Sequence, residues 1–221
     1  MAQEEQVLVV ERKVVEQVGM FHGLAFDVER YLGRLFAQGV PRFMPRSQAE
    51  KNPDYKQLIP YVIMACDGKI LSYVRGKRAG ETRLVGNRSI GIGGHINPAD
   101  DVIPLFGIYE AYLAAVEREV DEEVSVETKC TKNIVALLND DSNEVGQVHL
   151  GIVHYWTLDA PQVSRKEQMI TQMAFMTPAQ LREVQDTLET WSSLCLAGLD
   201  KMAAAAIAGT GVEKSGRDGI K

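Results

Sequence analysis

Apolar and polar positions divide the 221-residue chain into several strand-like runs and a few stretches with helical spacing. The β-branched run at residues 7–19, "VLVVERKVVEQVG", predicts a strand or hairpin. Apolar residues at Val28, Leu32 and Leu35 or Phe36 then repeat at helical spacing, and Gly39 stops the helix. Residues 40–57, rich in proline, arginine and asparagine, predict a long loop. "YVIMACDGKILSYVRG" predicts a hairpin, because two apolar runs flank Asp67-Gly68, a pair that tolerates the positive φ of a tight turn. "SIGIGG" predicts a short strand ending in glycines, and residues 105–124 predict a helix.

"NIVALLND", "GQVHLGIVHYWTLD" and "MITQMAFM" predict three more strands. Thr177 then serves as an N-cap with Pro178 at the first helical position. One closing helix is expected on Leu181, Val184, Leu188, Trp191 and Leu194, fraying near Gly209. Mixed strands with one helix between them and another at the end predict an α/β sandwich. The expected organisation is an N-terminal strand-helix extension at 1–57, packed on or swapped with a core domain at 58–208, and a mobile polar tail at 209–221.

The helix at 105–124 carries "VEREVDEEV", with five carboxylates around one arginine. At about 100° per residue these acids divide between faces. Glu119, Glu122 and Glu123 fall within an arc of roughly 100°, whereas Glu117 and Asp121 point nearly the opposite way. Leu113, Val116, Val120 and Val124 form a separate apolar stripe suited to a sheet. Exposed acids on a helix are ordinarily a solvated face. Inside a cleft, three such glutamates repel by about 3 kcal/mol per pair and need a cation, for which hard oxygen donors suit magnesium or manganese.

Composition narrows the classes. A 45% hydrophobic chain can build a core, and a net charge of −6 argues against general nucleic-acid binding. No apolar run reaches the ~18 residues of a membrane span. The acidic opening lacks the order of a signal peptide. Cys66, Cys130 and Cys195 are odd in number and far apart, so they read as reduced thiols of a cytoplasmic protein.

The acidic helix also has a context. Gly93-Gly94 ends a strand; Glu110 follows; after seven more residues comes Arg118-Glu119-Val120-Asp121-Glu122-Glu123. This resembles the Nudix hydrolase motif, which runs Gly, five residues, Glu, seven residues, then Arg-Glu-aliphatic-any-Glu-Glu-any-Gly-aliphatic. From Glu110 to Glu123 every specified polar residue stands at its required spacing, and the flanking strands extend the resemblance across about 61–208. There are two departures. Fifteen residues rather than five separate Gly94 from Glu110, which places a ten-residue insertion within 95–108. Ser125 stands where the family has glycine, at a helix exit where left-handed backbone is often wanted.

The resemblance implies a Nudix-type α/β/α sandwich and a Mg2+- or Mn2+-dependent pyrophosphohydrolase. It would cut a diphosphate linkage in a nucleoside diphosphate derivative or related organic pyrophosphate. Glu119, Glu122 and Glu123 would ligate the metal, with the Gly94 carbonyl as a further ligand, while Arg118 and Glu110 brace the loop–helix–loop. Glu167, in the loop before the final strand, is the candidate general base, with Glu119 its rival and Asp140, Asp141 and Glu144 weaker alternatives. Arg75, Arg78 and neighbouring Lys77 and Arg83 could clamp an anionic ligand, Arg75 foremost, or be a solvated charge cluster. His95 is a candidate phosphate contact or a loop histidine bonded to backbone. His149, His154, Trp156 and Trp191 read as structural.

The competing reading is a non-catalytic, nucleotide-sensing regulator of the same fold, against which the absence of a recognisable DNA-reading segment counts. An isomerase of the isopentenyl diphosphate type fits poorly, for want of a cysteine-bearing catalytic segment. The N-terminal strand could complete the sheet or exchange across a homodimer.

Overall fold

The computed structural model describes residues 4–76, 86–98, 107–167 and 170–209. β1 (Gln6–Glu11) passes at once into α1 (Arg12–Gly19), so the run expected to be a strand or hairpin is half helix. α1 buries Val15 and Val18, three positions apart, which is a helical rather than an alternating pattern. β2 (Gly23–Ala25) precedes α2 (Val28–Leu35), the expected helix, which buries Tyr31 and Leu35.

The expected loop at 40–57 is not a loop. It contains β3 (Arg42–Pro45), α3 (Arg46–Ala49) and the start of β4 (Tyr55–Cys66). β1 imposes the strand by pairing Gln6 with Pro45 and Val9 with Arg42, and Ala49 packs beside Val7 and Val9. Pairing and burial override a composition that suggested turns. β4 and β5 (Lys69–Arg75) form the predicted hairpin, with Asp67 at φ 49° and Gly68 at φ 71°.

The glycine-ended strand is two fragments, β6 (Arg88–Ser89) and β7 (Ile92–Gly93). α4 (Ile108–Glu123) is the acidic helix, followed directly by β8 (Val124–Val126) and then β9 (Cys130–Asn139). α5 (Glu144–Gln147), β10 (His149–Leu158), β11 (Val163–Arg165) and β12 (Ile170–Met176) complete the strands. The single closing helix is in fact three: α6 (Pro178–Glu183), α7 (Thr190–Ala197) and α8 (Leu199–Gly209). Thr177 and Gln180 make a reciprocal capping box with Pro178 inside the first turn, as the sequence predicts. The break between α6 and α7 is a 3-10 turn at Gln185–Thr187 followed by extended Leu188. The tail beyond residue 209 lies outside the described residues.

Two compact units divide the chain. The first draws on residues up to 61, 92–123 and 136–153; the second draws on 62–91, 124–135 and those from 154 onward. In the first, the sheet order is β4-β10-β9-β2, and β1 lies antiparallel to both β3 and β4. In the second, β12-β5-β4 run antiparallel, β6 flanks β5, and β8 pairs with β11 in a separate ribbon. The architecture is the α/β one expected from the sequence. The anticipated apolar stripe on α4 is shifted. Leu113 is 39% exposed, while Ala111, Tyr112, Ala115, Val116 and Val120 are buried. Tyr112 is fully buried against Phe36, with ring centroids 5.1 Å apart, and an aromatic ring removes more apolar area than Leu113 would.

Candidate active site

α4 presents its glutamates around Arg118, all within the first unit. Arg118 Nη1 donates to Glu119 Oε1 at 2.8 Å and to Glu122 Oε1 at 3.0 Å, and Nη2 donates to the His95 carbonyl at 2.9 Å. The pairing with Glu122 is the i,i+4 relation that one helical turn creates. The Glu119 side chain is 14% exposed and that of Glu122 54%, so the cluster grades from interior to solvent. Glu123 is half-buried. Gly94 explains how loop and helix come so close: a Cβ there would fall on the Glu119 carboxylate. Its neighbour Gly93 is equally constrained, since a Cβ would strike the Pro60 carbonyl. Glu110 is exposed in the first turn of α4, where the helix dipole favours an acid, and its Oε2 lies over Gly107. Among the described residues no three carboxylate, histidine or cysteine groups converge as a ready metal cluster. Arg118 is the cation that two of the glutamates share.

His95 turns its ring into the protein. It meets His149 edge-to-face with ring centroids 5.9 Å apart. Burial, reinforced by Arg46 and His149, pushes its pKa down to about 3, so the ring is neutral. His149 donates from Nδ1 to the Val145 carbonyl at 2.7 Å, and burial lowers its pKa as well.

Next to this pair lies a buried lysine. Lys56 is 0% exposed, and its ammonium donates to Asp141 Oδ1 at 2.8 Å and to the carbonyls of Gly146, Gln147 and His149 at 3.0, 3.2 and 3.2 Å. Arg12 donates to the other oxygen of Asp141 at 2.9 Å. Asp140 is fully buried and accepts from the Ser142 amide and the Asn143 side chain. Both aspartates are thus tied into the loop, which explains their presence without a role as base; Glu144 is exposed at the start of α5.

The second unit holds Arg75 and Glu167. Arg75 Nε donates to Glu189 Oε2 at 2.9 Å, and Glu189 Oε1 accepts from Ser89 at 2.5 Å and Ser192 at 3.4 Å. Glu189 is only 7% exposed, so Arg75 balances a buried carboxylate. Glu167 is half-buried, and its carbonyl accepts from the Ile170 amide. His154 is 4% exposed, and Trp156 is 2% exposed with Lys132 over its ring, in keeping with structural roles. Lys77, Arg78, Arg83 and most of the expected insertion lie outside the described residues.

No family model matches the chain. Protein YmaB of Bacillus subtilis (strain 168) is 31% identical over 198 residues, covering 86% of this chain and 94% of YmaB. The crystal structure of Tm1382, a protein assigned as a Nudix hydrolase, shares 29% identity at a TM-score of 0.71, over 88% of this chain and 98% of Tm1382. The chain belongs to the Nudix hydrolase family. The Nudix domain of Shewanella oneidensis NrtR, solved with ADP ribose, is far more distant, at 13% identity and a TM-score of 0.48 over 69% of this chain and 88% of that one.

α4 is therefore the Nudix helix, and the motif departure at its exit has a structural reading. Ser125 is not left-handed: the only non-glycine residues with positive φ among those described are Asp67 and Gln172. It lies in β8, opposite Ser164 of β11, in extended backbone that serine adopts without strain. Sequence reasoning missed Lys56, Glu189 and the partnership of His95 with His149. Nothing local marks any of them, because each is defined by partners tens of residues away.

Proposed function

We propose that this protein is a divalent-metal-dependent Nudix pyrophosphohydrolase acting on a nucleoside diphosphate derivative or a related organic pyrophosphate. The observation that carries the reading is the approach of Glu119 to Gly94, with Arg118 joining Glu119 and the His95 carbonyl to Glu122. The donor set fits a hard cation: carboxylate and carbonyl oxygens of the kind that Mg2+ or Mn2+ prefers. Glu119, Glu122, Glu123 and the Gly94 carbonyl would hold the ion, which when bound neutralises the diphosphate and lowers the pKa of an attacking water.

The remaining assignments concern the chain's own groups. Arg118 orients Glu119 and Glu122, and Glu110, in the first turn of the Nudix helix beside Gly107, braces the loop that enters it. Glu167 is the proposed base, with Glu119 the alternative. Arg75 is better accounted for by Glu189 than by a phosphate, and the His95 ring by His149. Arg78 stays a proposed anion contact on its sequence position. Residues 1–57 are proposed as an N-terminal extension packed on the core, its β1 paired within the chain to β3 and β4, and a homodimer is proposed for the protein. No helix among the described residues is long and apolar enough to cross a membrane. The free cysteines fit a cytoplasmic setting.

The test is a panel of dinucleotides, nucleotide sugars, triphosphates and capped nucleotides with Mg2+, with products resolved by mass in heavy-oxygen water. One diphosphate-containing compound should be cut, with a single oxygen incorporated. Tight binding of such a compound without turnover, under metal-replete conditions, would instead establish the sensing role. For the dimer, light scattering at working concentration should give twice the chain mass; a monomeric mass rules it out.

A further inference from the structure

We propose that His149 is a positioning residue for the ion-binding glutamates. Its ring fixes His95, whose carbonyl fixes Arg118 and, through it, the carboxylates of Glu119 and Glu122. This rests on the metal-dependent reading above and extends it to a residue that touches neither ion nor substrate. Each link is a contact within the first unit.

His149 stands on an immobile base. Its Nδ1–H is spent on the Val145 carbonyl at 2.7 Å. Its own carbonyl accepts from the buried Lys56, which also holds the carbonyls of Gly146 and Gln147 and is anchored by Asp141. A ring fixed at both its nitrogen and its backbone presents a constant surface to its neighbour. That neighbour is His95, met at 64° between planes, in the edge-to-face arrangement that aromatic quadrupoles favour.

The stretch around His95 needs such an anchor. Gly94 precedes it and brings no side chain of its own, so the backbone there is permissive. On the far side the Ile96 carbonyl accepts from the Leu8 amide at 3.0 Å. Between these points the His95 carbonyl receives Arg118, and the contact of the His95 ring with His149 restrains the residue from its side-chain end. Without the His149 ring beside it, His95 can swing about the Gly94 hinge. Arg118 then loses its bond to that carbonyl, and the carboxylates of Glu119 and Glu122 that it holds are free to shift toward the solvent that Glu122 reaches. Residues that orient metal ligands through such intermediates typically matter by 10–100-fold in metal affinity.

The experiment measures Mn2+ affinity of the full chain by electron paramagnetic resonance, beside the thermal unfolding midpoint. H149A should bind Mn2+ about ten-fold more weakly than the wild type. H149F keeps a ring edge against His95 and should restore most of the affinity. H149N keeps a donor for Val145 but no ring, and should behave like H149A. Wild-type affinity in H149A overturns the proposal, as does restoration by H149N but not by H149F, which would put the effect in the loop bond. If H149A does not fold, the H149F and H149N pair decides by the same criterion. A wild-type chain that binds no Mn2+ sinks the metal reading itself, a different result from intact wild-type binding with no effect at His149.

Discussion

Arg118 in the first unit and Arg75 in the second both face carboxylate, and the two arrangements balance charge differently. In the second unit a single buried carboxylate, Glu189, meets one guanidinium and two hydroxyls, so the cluster is neutral and its oxygens are occupied. In the first, Arg118 faces Glu119 and Glu122 while Glu123 follows on the same flank of α4, so along the helix's own sequence three acids accompany one base. Glutamates about 6 Å apart repel by about 3 kcal/mol per pair at an effective dielectric of 20, and by under 1 in water. The excess is tolerable because Glu122 reaches solvent, and an arriving cation relieves it. A buried carboxylate held by a guanidinium and hydroxyls is therefore structure, and a half-exposed, acid-rich helix flank is receptive to an ion.

Glu119→Gln is expected to break the comparison most severely. It removes one ligand charge where the acids are in excess, so hydrolysis should fall by about 10³-fold, the equivalent of some 4 kcal/mol of lost transition-state stabilisation. The unfolding midpoint without metal should hold or rise, since repulsion is relieved. A fall in the midpoint with full activity would show that Glu119 belongs with Glu189 as a structural acid.

Glu189→Ala should do the reverse. It removes the buried carboxylate that Arg75, Ser89 and Ser192 all contact, which costs about 3 kcal/mol in denaturant unfolding. Mn2+ affinity should not change. The functional cluster tolerates neutralisation in stability but not in chemistry, and the structural cluster the opposite.

His154 adds a pH dependence to the second unit. Burial, with Lys132 nearby, depresses its pKa to about 3 from an ordinary 6.5. Between those values the unfolded chain binds a proton that the folded one does not, so stability rises with pH through this window and is lost as pH falls below about 6.5. From pH 7 to pH 5 this one histidine should cost about 2 kcal/mol. Urea midpoints at the two pH values measure the loss, and H154Q should reduce it; an unchanged slope in H154Q would mean that other groups carry the acid sensitivity.

The sequence made the helix and its acids legible because their relations are local. Spacings of three and four residues put Glu119, Glu122 and Glu123 on one flank, and the spacing back to Glu110 and Gly94 tied that flank to a family. The Asp67-Gly68 hairpin and the Thr177 capping box were legible for the same reason. What could not be read depends on distant partners. β3 is a strand because β1 pairs with it, Lys56 can be buried because Asp141 and three carbonyls meet it, and Leu113 is displaced by Tyr112 because Phe36 stands opposite. The breaks between α6, α7 and α8 likewise escape a pattern whose apolar spacing runs on past them.

The smallest effect belongs to Ser125, where family pattern and local geometry disagree. A glycine at this exit would serve a left-handed turn, yet the chain leaves Glu123 directly into the extended backbone of β8. Ser125→Gly therefore gains no relief from strain and adds freedom to the unfolded chain, at a cost of up to about 1 kcal/mol. Hydrolysis and Mn2+ affinity should stay within error of the wild type, since the three proposed ligand glutamates, Glu119, Glu122 and Glu123, all precede the exit. If the substitution instead stabilises the protein, the backbone at 125 must visit a left-handed state that the pairing of Ser125 with Ser164 excludes, and the extended exit through β8 is not the state that the serine holds in solution.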